Sequence, residues 1–306
     1  MQTLKHSRNL HQDSYPLAQL VKSYPALKSH ILIKPDGGKT IDFANPNAVK
    51  TLNCALLAHY YQIEFWDVPA GYLCPPVPGR ADYVHYLADL LATDNQAVVP
   101  KGNTVKGLDI GAGANVIYPI IATRSYGWKM VGTDIDPVSI KSANSIIDSN
   151  PVLTGNIDIR HQYCQQHIFT GVVKAGEYFD FCMCNPPFHQ SAEQAKAVSQ
   201  RKVQNLAKNK SKRGSHLSSS RSNEALNFAG QSSELWCEGG ELQFIQRMIA
   251  ESRDYASQIH WFSSLVSKKD NLIHIYKSLR ESGVTDVKTV EMAQGQKVSR
   301  FVAWRF

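Results

Sequence analysis

The sequence contains no CxxC pair. Its six cysteines, Cys54, Cys74, Cys164, Cys182, Cys184 and Cys237, therefore point to reduced thiols without a metal site or a disulfide scaffold. No apolar run approaches the roughly 20 residues that a bilayer-spanning helix needs. The opening Met1-Gln2-Thr3-Leu4-Lys5-His6-Ser7-Arg8 has no apolar core of the kind that directs export, so a cytoplasmic protein is expected. Charged residues are sparse, at 19%, while hydrophobic ones reach 43% of 306 residues; that balance excludes wholesale disorder and allows a substantial core. No internal repeat is evident.

The formal charge of +7 is concentrated in one place. Lys196, Arg201, Lys202, Lys208, Lys210, Lys212, Arg213 and Arg221 follow one another without an intervening acid, and the rest of the chain is nearly neutral. With its Ser218-Ser219-Ser220 run and few large apolar residues, this stretch reads as a loop. A solvated linker is one reading of it. Contact with a polyanion is the other, because each neutralised phosphate releases counterions. A weaker basic stretch, Lys5, His6, Arg8 and His11, reads either as a second contact of that kind or as a frayed terminus.

Residues 1–100 mix helix and turn signals. Leu17 to Tyr24 is helical until Pro25, and Lys34-Pro35-Asp36-Gly37-Gly38-Lys39 is a turn between short strands at 31–33 and 40–43. Asn45-Pro46 opens a helix through Leu57, with Asn45 as its N-cap. Cys74 to Gly79 is a stiff connector, after which Tyr83, Tyr86, Leu87, Leu90 and Leu91 recur at helical spacing. From about residue 104 strands alternate with helices: strands at 104–110, 129–134, 157–160 and 178–184, and helices at 116–126 and 137–148. Helices at 240–257 and 268–281 and strands at 258–262, 284–291 and 299–306 follow. This alternation implies βαβ crossovers and a mainly parallel sheet.

Two turns carry chemistry. Gly111-Ala112-Gly113 joins a strand to a helix and lets backbone approach a ligand closely. Position 116 is Val116, where a dinucleotide fingerprint would have a third glycine. Asp134 ends the next strand, where a carboxylate accepts from both ribose hydroxyls, and Asp109 just before the turn suits a cationic or zwitterionic group. Together these suit an adenosine-containing cofactor. The second turn is Asn185-Pro186-Pro187-Phe188. Its prolines fix the backbone and remove N–H groups, leaving the Asn185 side-chain oxygen and the Pro186 carbonyl as acceptors for an amine. Phe188 offers a face for stacking a base. The inferred reaction is in-line methyl transfer from S-adenosylmethionine to an exocyclic amine, driven by positioning and electrostatics. A target base within a duplex would have to be flipped out or already unpaired.

The stretches from Leu108 to Pro119 and from Asp180 to Phe188 resemble the ribosomal RNA large subunit methyltransferase F family. The likeness extends through His6-Ser7-Arg8-Asn9, Arg80-x-x-Tyr83-x-His85, Glu234 to Glu241, and Met292 to Lys297. It implies an α/β chain: a Rossmann-like class I S-adenosylmethionine-dependent methyltransferase, 101–306, with a basic insertion at about 190–233. An N-terminal mixed α/β RNA-binding extension, 1–100, would precede it. Carried onto this sequence, it implies cofactor contacts from Arg80, near the methionine carboxylate, and from Gly111, Asn115, Asp134 and Asn185; the residue reading adds Asp109 and Gly113. The stretch Gln162–Gln166 would flank the cofactor adenine. Asn185, Pro186 and Phe188 would act on the target adenine N(6) of 23S ribosomal RNA. Lys5, Arg8, Arg201, Lys202, Lys208, Lys210, Lys212 and Arg213 would hold the RNA or an assembly intermediate of the large subunit. No membrane and no obligate protein partner is implied. Cys182 and Cys184 read as core. Glutamine N(5)-methylation of protein, DNA adenine methylation, and a noncatalytic assembly factor are the competing functions.

Overall fold

A computed structural model describes residues 5–188, 236–294 and 297–306. Seven strands form one sheet: β3 (Lys106–Ile110), β4 (Lys129–Asp134), β5 (Ile157–His161), β6 (Phe179–Cys184), β7 (Ile259–Val266), β8 (Asp286–Gln294) and β9 (Lys297–Arg305). Their spatial order is β5-β4-β3-β6-β7-β9-β8. The first five are parallel, and β9 runs antiparallel to both β7 and β8. This is the expected Rossmann-like methyltransferase architecture. A separate antiparallel pair, β1 (Ile31–Ile33) and β2 (Lys39–Ile41), lies in the N-terminal part.

Strands β3, β4, β6 and β7 are buried on both faces, which is why they read as near-continuous apolar runs. Along β6, Phe181 and Met183 belong to one hydrophobic cluster, while Phe179, Cys182 and Cys184 belong to another. Helices α2 (Pro46–Tyr61), α3 (Val77–Thr93), α4 (Ile117–Tyr126) and α5 (Pro137–Asp148) contribute to the first cluster. Helices α6 (Gly240–Ser252) and α7 (Asn271–Glu281) contribute to the second. The short helix α1 (Leu17–Ser23) and a 3-10 turn, Pro25–His30, also join the first. Its members run from Leu20 and Leu56 through Tyr83 to Ile120 and Phe301, so the core continues across residue 100 without a break.

Local signals account for the boundaries. Asn45 caps α2, accepting from the Asn47 and Ala48 N–H groups, and Pro46 occupies its first turn. The stiff connector is shorter than its prolines suggest, because Val77, Pro78 and Gly79 form the first turn of α3, where proline lacks no needed donor. The helix expected at 240–257 ends at Ser252 and continues as a 3-10 turn, Arg253–Tyr255.

Residues 5–11 are not a frayed end. His6, Asn9 and His11 are buried, and Asn9 Nδ2 donates to Asp82 Oδ1 (2.6 Å) and to the Pro78 carbonyl (2.9 Å). Arg8 donates to Asp89 (2.7 Å), the Tyr126 hydroxyl (2.9 Å) and the His85 carbonyl (2.8 Å). The N-terminal stretch is thus strapped onto α3, and the Arg8 charge is answered within the fold.

Candidate active site

The strand order reverses between β3 and β6, which pair from Gly107–Phe181 to Ile110–Cys184. Ligands of open parallel sheets bind in the crevice beyond such a switch point. Here it delivers Gly111 and Asn185 side by side at the carboxyl edge. A cavity of about 770 Å³ opens there. Its walls include Arg80, Gly111, Gly113, Asn115, Asp134 and Asn185, so six of the sequence-derived residues meet around one space.

The glycine turn is held from below. Gly111 and Ala112 N–H both donate to the Thr133 carbonyl (2.9 Å each), and Gly113 N–H donates to Asp134 Oδ2 (2.9 Å). Gly111 and Gly113 adopt positive φ, 74° and 66°, where side chains are strained. Gly132 has a different role: a Cβ there would lie 2.9 Å from Ala112 Cβ, so its bareness lets the turn settle on β4. Val116 enters α4 at φ 44°, in the left-handed region, although it is β-branched and fully buried. Glycine would adopt that conformation without strain.

Asp134 Oδ1 accepts from Asp136 N–H (2.9 Å), and the Asp134 carbonyl accepts from Gln162 N–H (2.8 Å). Asp109 lies beneath the turn, fully buried, with neither carboxylate oxygen bonded among the described residues. Burial, then the nearby Asp134, push its carboxyl up to about 8, with Arg80 opposing. Arg80 donates to the Tyr118 hydroxyl at 2.9 Å. Asn115 is more committed than expected: its Oδ1 accepts from Ile117 N–H (3.1 Å) and its carbonyl from Trp66 Nε1 (2.9 Å).

The second turn divides its residues. Asn185 and Pro187 line the cavity, and Asn185 Oδ1 is buried without a partner among the described residues. Pro186 is buried. Phe188 faces a second cavity of about 340 Å³ beyond the turn. The end of β6 is fixed by a relay: Cys184 N–H donates to the Tyr83 hydroxyl (3.4 Å), which meets Ser263 Oγ (2.8 Å), which donates to the Cys182 carbonyl (2.7 Å). Cys182 and Cys184 are buried, as the alternating strand pattern implied, and all six cysteines are free. Among the described residues no cluster suits a metal ion.

Several lining residues had no signal in the sequence. Leu73, Pro75, Phe244 and Arg247 reach the cavity from distant segments, as does Trp236 from the 234–241 stretch of the resemblance. Gln162, Gln165 and Gln166 line it as the resemblance implied for 162–166. Glu241, at the end of the resembling 234–241 stretch, is buried and accepts from Ser267 N–H (2.6 Å), Lys268 N–H (3.3 Å) and Asn271 Nδ2 (2.6 Å). Lys5 and Arg8 line neither cavity. Arg201, Lys202, Lys208, Lys210, Lys212 and Arg213 lie outside the described residues.

A family model described as RNA methyltransferase matches residues 1–306. The chain is 53% identical over 302 residues to ribosomal RNA large subunit methyltransferase F of Pseudoalteromonas atlantica, covering 98% of this chain and 92% of that one. The chain belongs to this RNA methyltransferase family. The namesake from Photobacterium profundum is 52% identical over 307 residues, with 98% and 91% covered. Among solved structures, the human METTL16 catalytic domain in complex with the MAT2A 3'UTR hairpin 1 superposes with a TM-score of 0.80 at 30% identity, covering 99% of this chain and 96% of that one. The N-terminal domain of human METTL16 in complex with SAH gives 0.73 at 27%, with 99% and 98% covered. No helix among the described residues is long and apolar enough to cross a membrane.

Proposed function

We propose that this chain transfers a methyl group from S-adenosylmethionine to the N(6) amine of an adenine in large-subunit ribosomal RNA. The carrying observation is the buried Asn185 Oδ1, without a partner among the described residues, on a residue that lines the same cavity as the glycine turn and Asp134. The relatives' names support the rRNA substrate, and the METTL16 complexes with SAH and with an RNA hairpin support the cofactor class and the polymer.

The donor set suits the cofactor. We assign Asp134 to the ribose hydroxyls and Arg80 to a carboxylate, both in the cavity wall, and Asp109, buried beneath the turn with neither oxygen bonded among the described residues, to an ammonium. Bound S-adenosylmethionine supplies an electrophilic methyl carbon on a sulfonium. Asn185 Oδ1 and the Pro186 carbonyl accept the amine's hydrogens, which draws the nitrogen lone pair out of conjugation and aims it. The proline pair holds both acceptors without a competing N–H, so little reorganisation accompanies reaction. Metal chemistry is not called on for any of these roles. The residues would act by orientation, an effect that reaches several kcal/mol in well-placed reactants.

Incubation with labelled S-adenosylmethionine and large-subunit RNA, naked and from assembly intermediates, should yield labelled N(6)-methyladenine. Label in guanine, cytosine or protein glutamine instead would overturn the assignment. Deleting 196–221 should weaken RNA binding and flatten its salt dependence with cofactor affinity intact; an unchanged slope would return that segment to solubility.

A further inference from the structure

The carboxyl ends of four neighbouring strands follow one another along the larger cavity: Asn185 after β6, Gly111 after β3, Asp134 at the end of β4 and Gln162 after β5. A cofactor with its methyl group at Asn185 and its ribose at Asp134 therefore carries its adenine on toward the segment after β5. Gln165, Gln166, His167 and Ile168 continue that wall. None of them belongs to a helix or strand, so their place must be held by other ties.

Both roots of the segment are tied. At the near root, Gln162 N–H donates to the Asp134 carbonyl (2.8 Å), and the Gln162 side chain spans the loop. Its Nε2 donates to the Thr170 carbonyl (2.9 Å), and its Oε1 accepts from Cys164 N–H (3.0 Å). At the far root three successive backbone amides converge on one carboxylate. Glu251 Oε2 accepts from Ile168 N–H at 2.7 Å, while Oε1 accepts from Phe169 N–H at 3.0 Å and Thr170 N–H at 2.7 Å. Glu251 lies in the last turn of α6, with its side chain 12% exposed, and does not line the cavity itself. Converging amides of this kind need an acceptor, and bonds to an ionised one are about twice as strong as neutral ones. Ile168 and Phe169 share a hydrophobic cluster with Ile245, Met248 and Ile249 of the same helix, so polar and apolar ties act at one point.

We propose that Glu251 is a positioning residue for the cofactor: through the amides of 168–170 it fixes the wall against which the adenine packs. The proposal rests on the cofactor placement above, with the methyl group at Asn185 and the ribose at Asp134. Without the carboxylate the loop samples other arrangements, and apparent affinity falls by the fraction of time spent in the competent one. The loss belongs to the nucleoside half of the cofactor, whereas Arg80 acts on the amino-acid half.

Calorimetry on the full chain tests this with two ligands, SAH and methylthioadenosine, the second of which keeps adenine and ribose but lacks the amino-acid arm. Glu251→Ala should weaken both by a common factor of about 5- to 30-fold. Glu251→Gln keeps one acceptor oxygen and turns an NH2 against the remaining amide, so its loss should be smaller but again common to both. Arg80→Ala should weaken SAH and leave methylthioadenosine within about twofold. In methyl transfer, KM for S-adenosylmethionine should rise in Glu251→Ala while kcat holds. Amide exchange across 163–170 should be faster in the free variant and slow again with saturating SAH. Unchanged affinity for both ligands, with only a lower urea midpoint, would confine Glu251 to stability and overturn the proposal; so would a loss for SAH that methylthioadenosine does not share. Should Glu251→Ala fail to fold, the same comparison in Glu251→Gln decides the matter. Wild-type SAH affinity in Asp134→Ala would sink the cofactor placement itself, whereas a loss there without one in the Glu251 variants would sink the tether alone.

Discussion

Gly113 N–H donates to Asp134 Oδ2 at 2.9 Å, so the turn after β3 and the end of β4 form a single unit. Asp134→Ala removes both that tie and the acceptor for ribose hydroxyls. Hydrogen bonds to charged groups contribute about 1.5–3 kcal/mol, which predicts cofactor affinity weakened roughly 10- to 100-fold by calorimetry. Asn185→Ala should instead keep cofactor affinity within about threefold and abolish transfer. Equal losses of affinity in both variants would mean that the assigned division of labour is wrong.

Asp109 titrates near 8 because burial disfavours its charge. At pH 7 it is mostly protonated, and pairing with an ammonium would require the carboxylate. Cofactor binding should therefore release close to one proton, and affinity should rise with pH until about 8. Calorimetry in two buffers of different ionisation enthalpy measures the release, and Asp109→Asn should eliminate it.

Tyr83→Phe deletes the hydroxyl that links Cys184 N–H to Ser263. A buried amide left unpaired costs about 1–3 kcal/mol, to be read in urea denaturation. Because that amide directly precedes Asn185, kcat should also fall, with RNA KM nearly unchanged. A stability loss with full turnover would confine Tyr83 to the core.

Val116 should reverse an ordinary rule. At most helical positions glycine is worse than alanine by about 1 kcal/mol, but here φ is 44° and glycine relieves about 1–2 kcal/mol of left-handed strain. Both substitutions lose buried surface, so both destabilise. Val116→Gly should nonetheless be no worse than Val116→Ala in thermal or urea unfolding.

Buried histidines should make the fold acid-sensitive. Burial pulls His85 down to about 3 and His11 to about 4. Each stays neutral in the fold while the unfolded chain takes up its proton below about 6.5, so their contribution is present above that pH and is lost as pH falls toward the folded values. Asp109 works in the opposite direction between 8 and 4, so the test is a difference. Between pH 6.5 and 4.5, the slope of unfolding free energy for His85→Gln should be smaller than wild type by about one proton.

Much of the sheet was readable because β3, β4 and β6 are buried on both faces and bounded by glycine or proline turns. Gly111, Asp134 and Asn185 were readable for a related reason: turn chemistry is local, and the parallel topology brings strand ends together without further information. What distant segments contribute was not. Phe244 and Arg247 enter the cavity through the packing of α6, which no spacing in the sequence records. Arg8 looked like a free cation because its partners, Asp89, Tyr126 and His85, lie about 80 or more positions away. Phe188 lines the neighbouring cavity, whereas Asn185 lines the larger one, a division that the sequence spacing alone does not record.

That division has a practical consequence for chemical probes. The turn 185–188 contributes Asn185 and Pro187 to the larger chamber and Phe188 to the smaller. A bisubstrate inhibitor that reaches both would have to pass this turn. Its selectivity over other methyltransferases would come from the arm that rests on Phe188.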